Sequence, residues 1–305
     1  MQYRQLRYYV KIVEAGSFSR AAALIHVAQP ALSLQISELE DYLGVSLLQR
    51  SARGVRPTAA GELLYREATA VLKHLEQIPG AVRSSRGVAQ GVVSMGLPSL
   101  LGAPLVARFV ETCHSALEKV SLKLAVTDSA TLRDKLAAQL LDLALVFEDD
   151  LGVAFTREPL YRQRLYVFHP RTMSMGSSVS LDEIAKHPLV LPSRPNLVRA
   201  SADRAFAQAS LVPNLVAEVD DYTSLVSTVR AGLGATILPQ GELTELADEM
   251  AASALIEPPL YMTVSIVSSQ EMPLSYAADE VRKLLRAFIE RHVRETQPPG
   301  AAWVD

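Results

Sequence analysis

Gln29, Pro30, Ser33, Leu34 and Ser37 fall on one face at helical spacing, and three arginines follow at Arg50, Arg53 and Arg56. That set can do one kind of chemistry well. Glutamine can make two hydrogen bonds to the edge of adenine, serine can bond any base, and an apolar tip such as Leu34 can touch a thymine methyl. Arginines on a following hairpin can engage phosphates or a narrow minor groove.

Elements able to hold those side chains can be read around them. Leu6, Tyr9, Val10 and Val13 recur at the spacing of an amphipathic first helix, which Gly16 ends. Ser17 or Ser19 can cap a second helix, where Ala21, Ala22 and Ala23 permit close helix approach. A third helix opens at Gln29-Pro30, proline standing where its missing N–H costs nothing. In it Leu32, Ile36, Leu39 and Leu43 lie opposite the polar face and are expected in the core. Residues 47–56 then read as a β-hairpin. Together these predict a helix-turn-helix with a basic wing, built to put a helix into the major groove. Three packed helices with a solvated basic loop remain an alternative on spacing alone.

Charge distribution bears on that choice. The chain of 305 residues carries a formal net charge of −3, which, evenly spread, would oppose nucleic-acid binding. It is not even. Residues 1–90 hold 11 Lys and Arg against 7 Asp and Glu, and the remainder holds 19 against 26. A basic front on an acidic body suits a DNA-binding module joined to a second domain, as the length also suggests.

Past Thr58, the residues Leu64, Val71, Leu75, Ile78 and Val82 step as an a/d seam, the pattern of a paired helix. The alternative is an amphipathic helix packed on its own domain. Pro79-Gly80 interrupts the seam, so this helix is expected to kink or end near Ile78. Residues 83–91 would be the hinge into the second domain.

The single cysteine, Cys113, excludes an intramolecular disulfide and lies in an apolar helical pattern, so it is expected buried. The first residues are charged throughout and lack a signal-peptide core, no later run is long enough to span a membrane, and a cytoplasmic location follows. Catalytic signatures are missing. The six histidines, at 26, 74, 114, 169, 187 and 292, show no metal-ligand spacing. Gly232-x-Gly234-Ala235 lacks a third glycine and follows a helix, so it reads as a turn. No catalytic residue, metal or cofactor is expected.

Beyond Gly91 strands are expected at 92–97, 122–126, 143–147, 164–168, 188–191, 235–238 and 263–267. Helices are expected at 130–141, 197–209, 222–232 and 276–294, and Ser180-x-x-Glu183 is a capping box for a short one. Alternation of this kind predicts α/β sheets with a ligand crevice at the carboxyl ends of strands.

The run Ala21-Ala22, Leu24, Gln29-Pro30-Ala31-Leu32-Ser33, Ile36, Leu39-Glu40, Leu43-Gly44, Leu47-Leu48, Arg50, Arg53-Gly54, Thr58 and Ala60-Gly61 resembles the N-terminal signature of LysR-type transcriptional regulators. The resemblance implies an α+β multidomain protein. A winged helix-turn-helix over 1–58 is followed by a linker and dimerisation helix over 59–90. An effector domain over 91–305 resembles a two-lobed periplasmic binding protein, with lobe I at 91–161 and 268–295 and lobe II at 162–267. Crossover strands would lie near 161–164 and 264–268. It further implies sequence-specific binding of double-stranded promoter DNA at interrupted palindromes of the T-N11-A kind, modulated by a small-molecule effector. A homodimer through the linker helix, assembly into a homotetramer and contact with RNA polymerase belong to the same picture. Two positions depart from the family's pattern. Ala28 stands where Ser or Thr usually precedes Gln-Pro, and Leu34 where a basic or amide residue is common. Both should alter which operator is read.

Polar residues just after the strands are the candidate effector contacts: Ser99, then Thr127 with Asp128 and Ser129, then Ser193, Arg194 and Asn196. Hydroxyls and a guanidinium beside a helix N-terminus suit a carboxylate or similar anion. The segment LPSRPNLVR is similar to one in the nitrogen-assimilation-control branch of the family. Each contact also has a structural reading: Ser129 as a cap, Arg194 as half of a surface ion pair, Ser99 as the closure of a turn. Glu148-Asp149-Asp150 and Asp220-Asp221 read as solvated loop ends. Either pair facing the crevice would disfavour an anionic ligand.

Overall fold

The computed structural model describes residues 1–51, 54–84, 88–101, 103–148, 155–239 and 251–304. Arg53, Asp149 and Asp150 lie outside the described residues. The chain forms two compact units, one of residues 1–88 and one of 89–137 with 141–305.

In the first unit α1 (Tyr3–Ala15), α2 (Phe18–Leu24) and α3 (Gln29–Leu43) close over Tyr9, Ile12, Phe18, Leu32, Ile36 and Leu39. Each large apolar side chain buried this way contributes roughly 1.5–3 kcal/mol. Gly16 ends α1 at a left-handed φ of 61°, and Ser17, not Ser19, caps α2 by accepting from Arg20 N–H at 3.5 Å. Leu43 corrects an expectation. It is the last helical residue before Gly44 turns the chain at φ 69°, stands outside the core cluster and is 37% exposed.

The wing is β1 (Leu48–Ser51) against β2 (Gly54–Pro57), antiparallel from Leu48 opposite Pro57 to Ser51 opposite Gly54. It docks onto the α1–α2 turn, where Val55 N–H donates to the Gly16 carbonyl at 2.9 Å.

One helix, α4 (Ala59–Ser84), follows. Thr58 opens it, its hydroxyl accepting from Gly61 N–H at 3.0 Å and donating to the Ser46 carbonyl at 2.7 Å. Ala68 and Leu72 bury against Leu6 and Val10 of α1, with Leu64 packed beside them. The helix does not end at Ile78. It runs through Pro79, which is exposed, so water can take up the carbonyl freed one turn earlier. Arg83 and Ser84, expected in the hinge, are helical.

The second unit is built on a nine-stranded sheet. Its first half holds β3 (Gly91–Pro98), β4 (Val120–Thr127) and β5 (Leu143–Glu148), with β3 parallel to both others. The long β6 (Phe155–Pro170) serves both halves. The second half adds β7 (Ser178–Ser180), β10 (Thr236–Pro239) and β11 (Ala251–Glu257), while β8 (Leu189–Leu191) and β9 (Leu215–Glu218) pair separately in parallel. Then β12 (Tyr261–Ser269) returns to the first half, and β13 (Ala301–Trp303) pairs with β6. The helices between are α5 (Ala103–Ala116), α6 (Ser129–Ala137), α7 (Leu181–Lys186), α8 (Leu197–Gln208), α9 (Tyr222–Arg230) and α10 (Tyr276–Thr296). Ser180 caps α7 by accepting from Glu183 N–H at 3.2 Å.

The crossovers follow from pairing. β6 pairs with β12 up to Arg164 and with β10 and β11 from Leu165 onward. Residues 264–268 are not a crossover. They lie in β12, bonded to β5 and β6, and the chain returns through Pro258 to Leu260. Only the partner on each side distinguishes a crossing from a strand interior. On this pairing the described residues within 91–164 and 261–304 group as a first lobe, and those within 165–257 as a second.

Candidate nucleic-acid interface and effector crevice

α3 presents Gln29, Pro30, Leu34 and Ser37 to solvent, with Ser33 half-buried between them. Leu34 is 59% exposed, an apolar tip turned to solvent. At the start of α3, Ala28 supplies no side-chain cap, so the first N–H groups and the positive end of the helix stay open. On the wing Arg50 and Arg56 are both exposed. Arg50 does not hang free: its guanidinium stacks 4.3 Å from the centre of the Phe18 ring, which holds it beside α2.

A residue that its spacing did not single out fixes the wing to the helix. The Glu40 carboxylate accepts from Leu47 N–H at 2.7 Å and Leu48 N–H at 3.2 Å. An acid between Leu39 and Leu43, just ahead of a glycine turn, is the available signal.

In the second unit a crevice of about 480 Å³ opens between the lobes. Lobe I contributes Ser99, Asp128, Ser129 and Phe147, and lobe II contributes Asn196, Val198, Asp220, Tyr222 and Leu238. An adjoining depression of about 560 Å³ is lined by Asp128, Asp134, Ser193, Arg194, Asn196 and Asp220, among others. Ser99, Ser129 and Asn196 thus converge on the crevice, and Ser193 and Arg194 on its mouth. Thr127 does not join them. It ends β4, and its hydroxyl donates to Asp128 at 3.3 Å.

Several of these groups are already engaged. Ser129 is buried, and its Oγ accepts from Phe147 N–H at 3.0 Å. Asn196 caps α8 by accepting from Arg199 N–H at 3.1 Å. Arg194 donates to Asp203 at 2.8 Å. Asp203 also binds the buried Arg199, which reaches Glu218 at 2.6 Å and the Pro192 carbonyl at 2.8 Å. Asp128 accepts from Thr131 N–H at 2.9 Å and its hydroxyl at 2.6 Å. Burial would raise the Asp128 pKa, but these bonds outweigh it and hold the carboxyl below its usual range. Burial pushes the Tyr222 phenol well above its ordinary value, and its hydroxyl has no hydrogen-bond partner among the described residues.

Asp220, an exposed loop residue, lines the crevice together with Asp128, which disfavours an anionic effector there, and Arg194 at the mouth pairs with Asp203. Cys113 is buried, as expected, and burial raises its thiol pKa. Among the described residues no cluster of three or more His, Cys, Asp or Glu could hold a metal, and no helix is long and apolar enough to cross a membrane.

Residues 3–62 match the bacterial regulatory helix-turn-helix protein model of the lysR family, and residues 86–290 match the LysR substrate binding domain. The nitrogen assimilation regulatory protein nac of Klebsiella aerogenes is 33% identical over 294 residues, covering 95% of this chain and 96% of that protein. A full-length, singly substituted OxyR from Pseudomonas aeruginosa shares the fold at a TM-score of 0.69 and 24% identity, covering 95% of this chain and 94% of that one. Full-length CbnR complexed with its target DNA does so at 0.66 and 22%, covering 97% and 100%. The chain belongs to the LysR family: it is a transcriptional regulator and not an enzyme, with a helix-turn-helix DNA-binding domain followed by an effector-binding domain.

Proposed function

We propose that this regulator reads an interrupted palindrome of the T-N11-A kind as a homodimer, and that a small molecule in the interlobe crevice modulates that reading. The observation that carries the first part is the exposed row Gln29, Pro30, Leu34 and Ser37 beside Arg50 and Arg56. The open N-terminus of α3 favours a phosphate, the row would meet base edges, and the wing arginines would meet backbone or minor groove. Leu34 favours a thymine methyl where relatives present a polar group. The crevice contacts would be Ser99, Ser129 and Asn196, with Ser193 and Arg194 at the mouth.

Dimerisation is supported by α4, where Val71, Leu75, Ile78 and Val82 stand 46%, 41%, 42% and 67% exposed along one seam. Apolar side chains at a/d spacing left in water favour a second copy of the helix. Two such dimers would make a tetramer, in the cytoplasm with the DNA and within reach of RNA polymerase.

A band shift on promoter DNA across a salt series tests this reading. Arg50→Ala should weaken binding and reduce the salt slope by about one. Ile78→Glu should give monomers in sedimentation, with weakened operator binding. Equal affinity for any sequence, with both variants unchanged, would overturn the proposal.

A further inference from the structure

The crevice joins a carboxylate from each lobe to an apolar lining. We propose that the effector is a small amphipathic amine whose ammonium group sits between Asp128 and Asp220, an inference that rests on reading the crevice as the effector site.

The helix N-termini at the crevice are already used by the protein itself. Three helices start there, and each is closed by its own side chain. Asp128 caps α6, Asn196 caps α8, and Asp221 caps α9 by accepting from Ser224 N–H at 2.7 Å. Two of those caps carry negative charge where an incoming carboxylate would need positive potential. Among the described residues no Lys, Arg or His lines the crevice proper, and Arg194 at the mouth is held by Asp203. Three carboxylates, Asp128, Asp134 and Asp220, line that mouth against Arg194.

What remains suits a cation. Asp220 Oδ1 accepts from Ser193 N–H at 2.8 Å, and Oδ2 has no partner among the described residues. Hydrogen bonds to the charged form keep Asp128 ionised. The two acids come from opposite lobes and both border the same two depressions. An ammonium bonded to both would link the two lobes. Leu100, Phe147, Val198, Leu225 and Leu238 give the crevice an apolar side for a short alkyl or aryl body. Tyr222 adds a buried hydroxyl without a partner among the described residues, a place for a second polar group.

The test is thermal unfolding and calorimetric titration of the full chain with matched probes: phenethylamine, 3-phenylpropanoate and 2-phenylethanol. Phenethylamine at about 10 mM should raise the unfolding temperature saturably, because a ligand that binds only the native state stabilises it, and 3-phenylpropanoate should not. Asp220→Asn keeps an oxygen for Ser193 N–H. It should weaken the amine about tenfold, the order expected for one charge-assisted hydrogen bond. Asp182→Asn, on a surface pair with Lys186, should leave the amine's affinity unchanged. An amine that binds equally to wild type and Asp220→Asn overturns the proposal, as does the absence of any amine response. If 3-phenylpropanoate binds instead and Ser99→Ala abolishes it, the amine class is wrong and the crevice stands. Loss of operator binding in the unliganded protein would count against the proposed function itself.

Discussion

Replacing Glu40 should separate the wing from the recognition helix without touching any residue that faces DNA. Its half-buried carboxylate receives two backbone N–H groups, from Leu47 and Leu48, at 2.7 and 3.2 Å. A bond to an ionised acceptor contributes about 1.5–3 kcal/mol. One of these two is long and the site is partly wet, so Glu40→Ala should cost roughly 2–4 kcal/mol in all. For a unit of this size each kcal/mol moves the transition by about 4–8 °C, placing the fall at roughly 10–30 °C. Glu40→Gln retains an acceptor oxygen and should lose about half as much. Calorimetry of the full chain reads the first-unit transition. Band shifts at a temperature where all variants are folded read the consequence for DNA. There Glu40→Ala should bind about tenfold more weakly with a shallower salt slope, because Arg50 and Arg56 no longer hold their places. A transition within about 2 °C of wild type, with affinity unchanged, would refute the reasoning.

Two further outcomes can be checked on the same protein. Gly61→Ala should destabilise, although alanine is the better helix former by about 1 kcal/mol. The added Cβ would stand 2.1 Å from the Leu47 carbonyl and 2.6 Å from the Tyr9 hydroxyl, and such overpacking costs roughly 1–3 kcal/mol or more; a rise in the calorimetric transition would contradict this. Asp128 governs an acid limb. Its folded-state pKa is depressed, so its stabilising contribution is present above the ordinary carboxylate range and is lost as pH falls through the folded value. Effector-unit stability measured against pH should therefore fall below the ordinary carboxylate range, and Asp128→Asn should flatten that fall. An unchanged slope in the variant would remove Asp128 from the account.

Local periodicity made most elements legible. The core side of α3 was readable at Leu32, Ile36 and Leu39 because a helix repeats its faces every few residues whatever surrounds it. Leu43 failed because a face is buried only as far as a neighbour extends. The strands missed, β7, β9, β11 and β13, include three of only three or four residues, and β9 is exposed along its whole length. Such strands carry little apolar signal and exist through their partners. On α4 the a/d seam was visible, but Leu64 turned inward with Ala68 and Leu72, while Val71, Leu75, Ile78 and Val82 faced out. Which stripe meets α1 depends on where α1 packs.

The residues alone determined what kinds of groups this protein could present: a polar and apolar row backed by a leucine face, arginines on a hairpin, an a/d seam, and hydroxyls after strands. Those are consequences of residue type and helix or strand period, which are local. Tertiary structure decided which groups are left over to act. It tied Arg194 to Asp203, used Asn196 as a cap and brought Asp220 from lobe II to face Asp128 of lobe I. The amine proposed above rests on that placement, because the potential in a crevice is summed over everything around it, and sequence distance does not enter the sum.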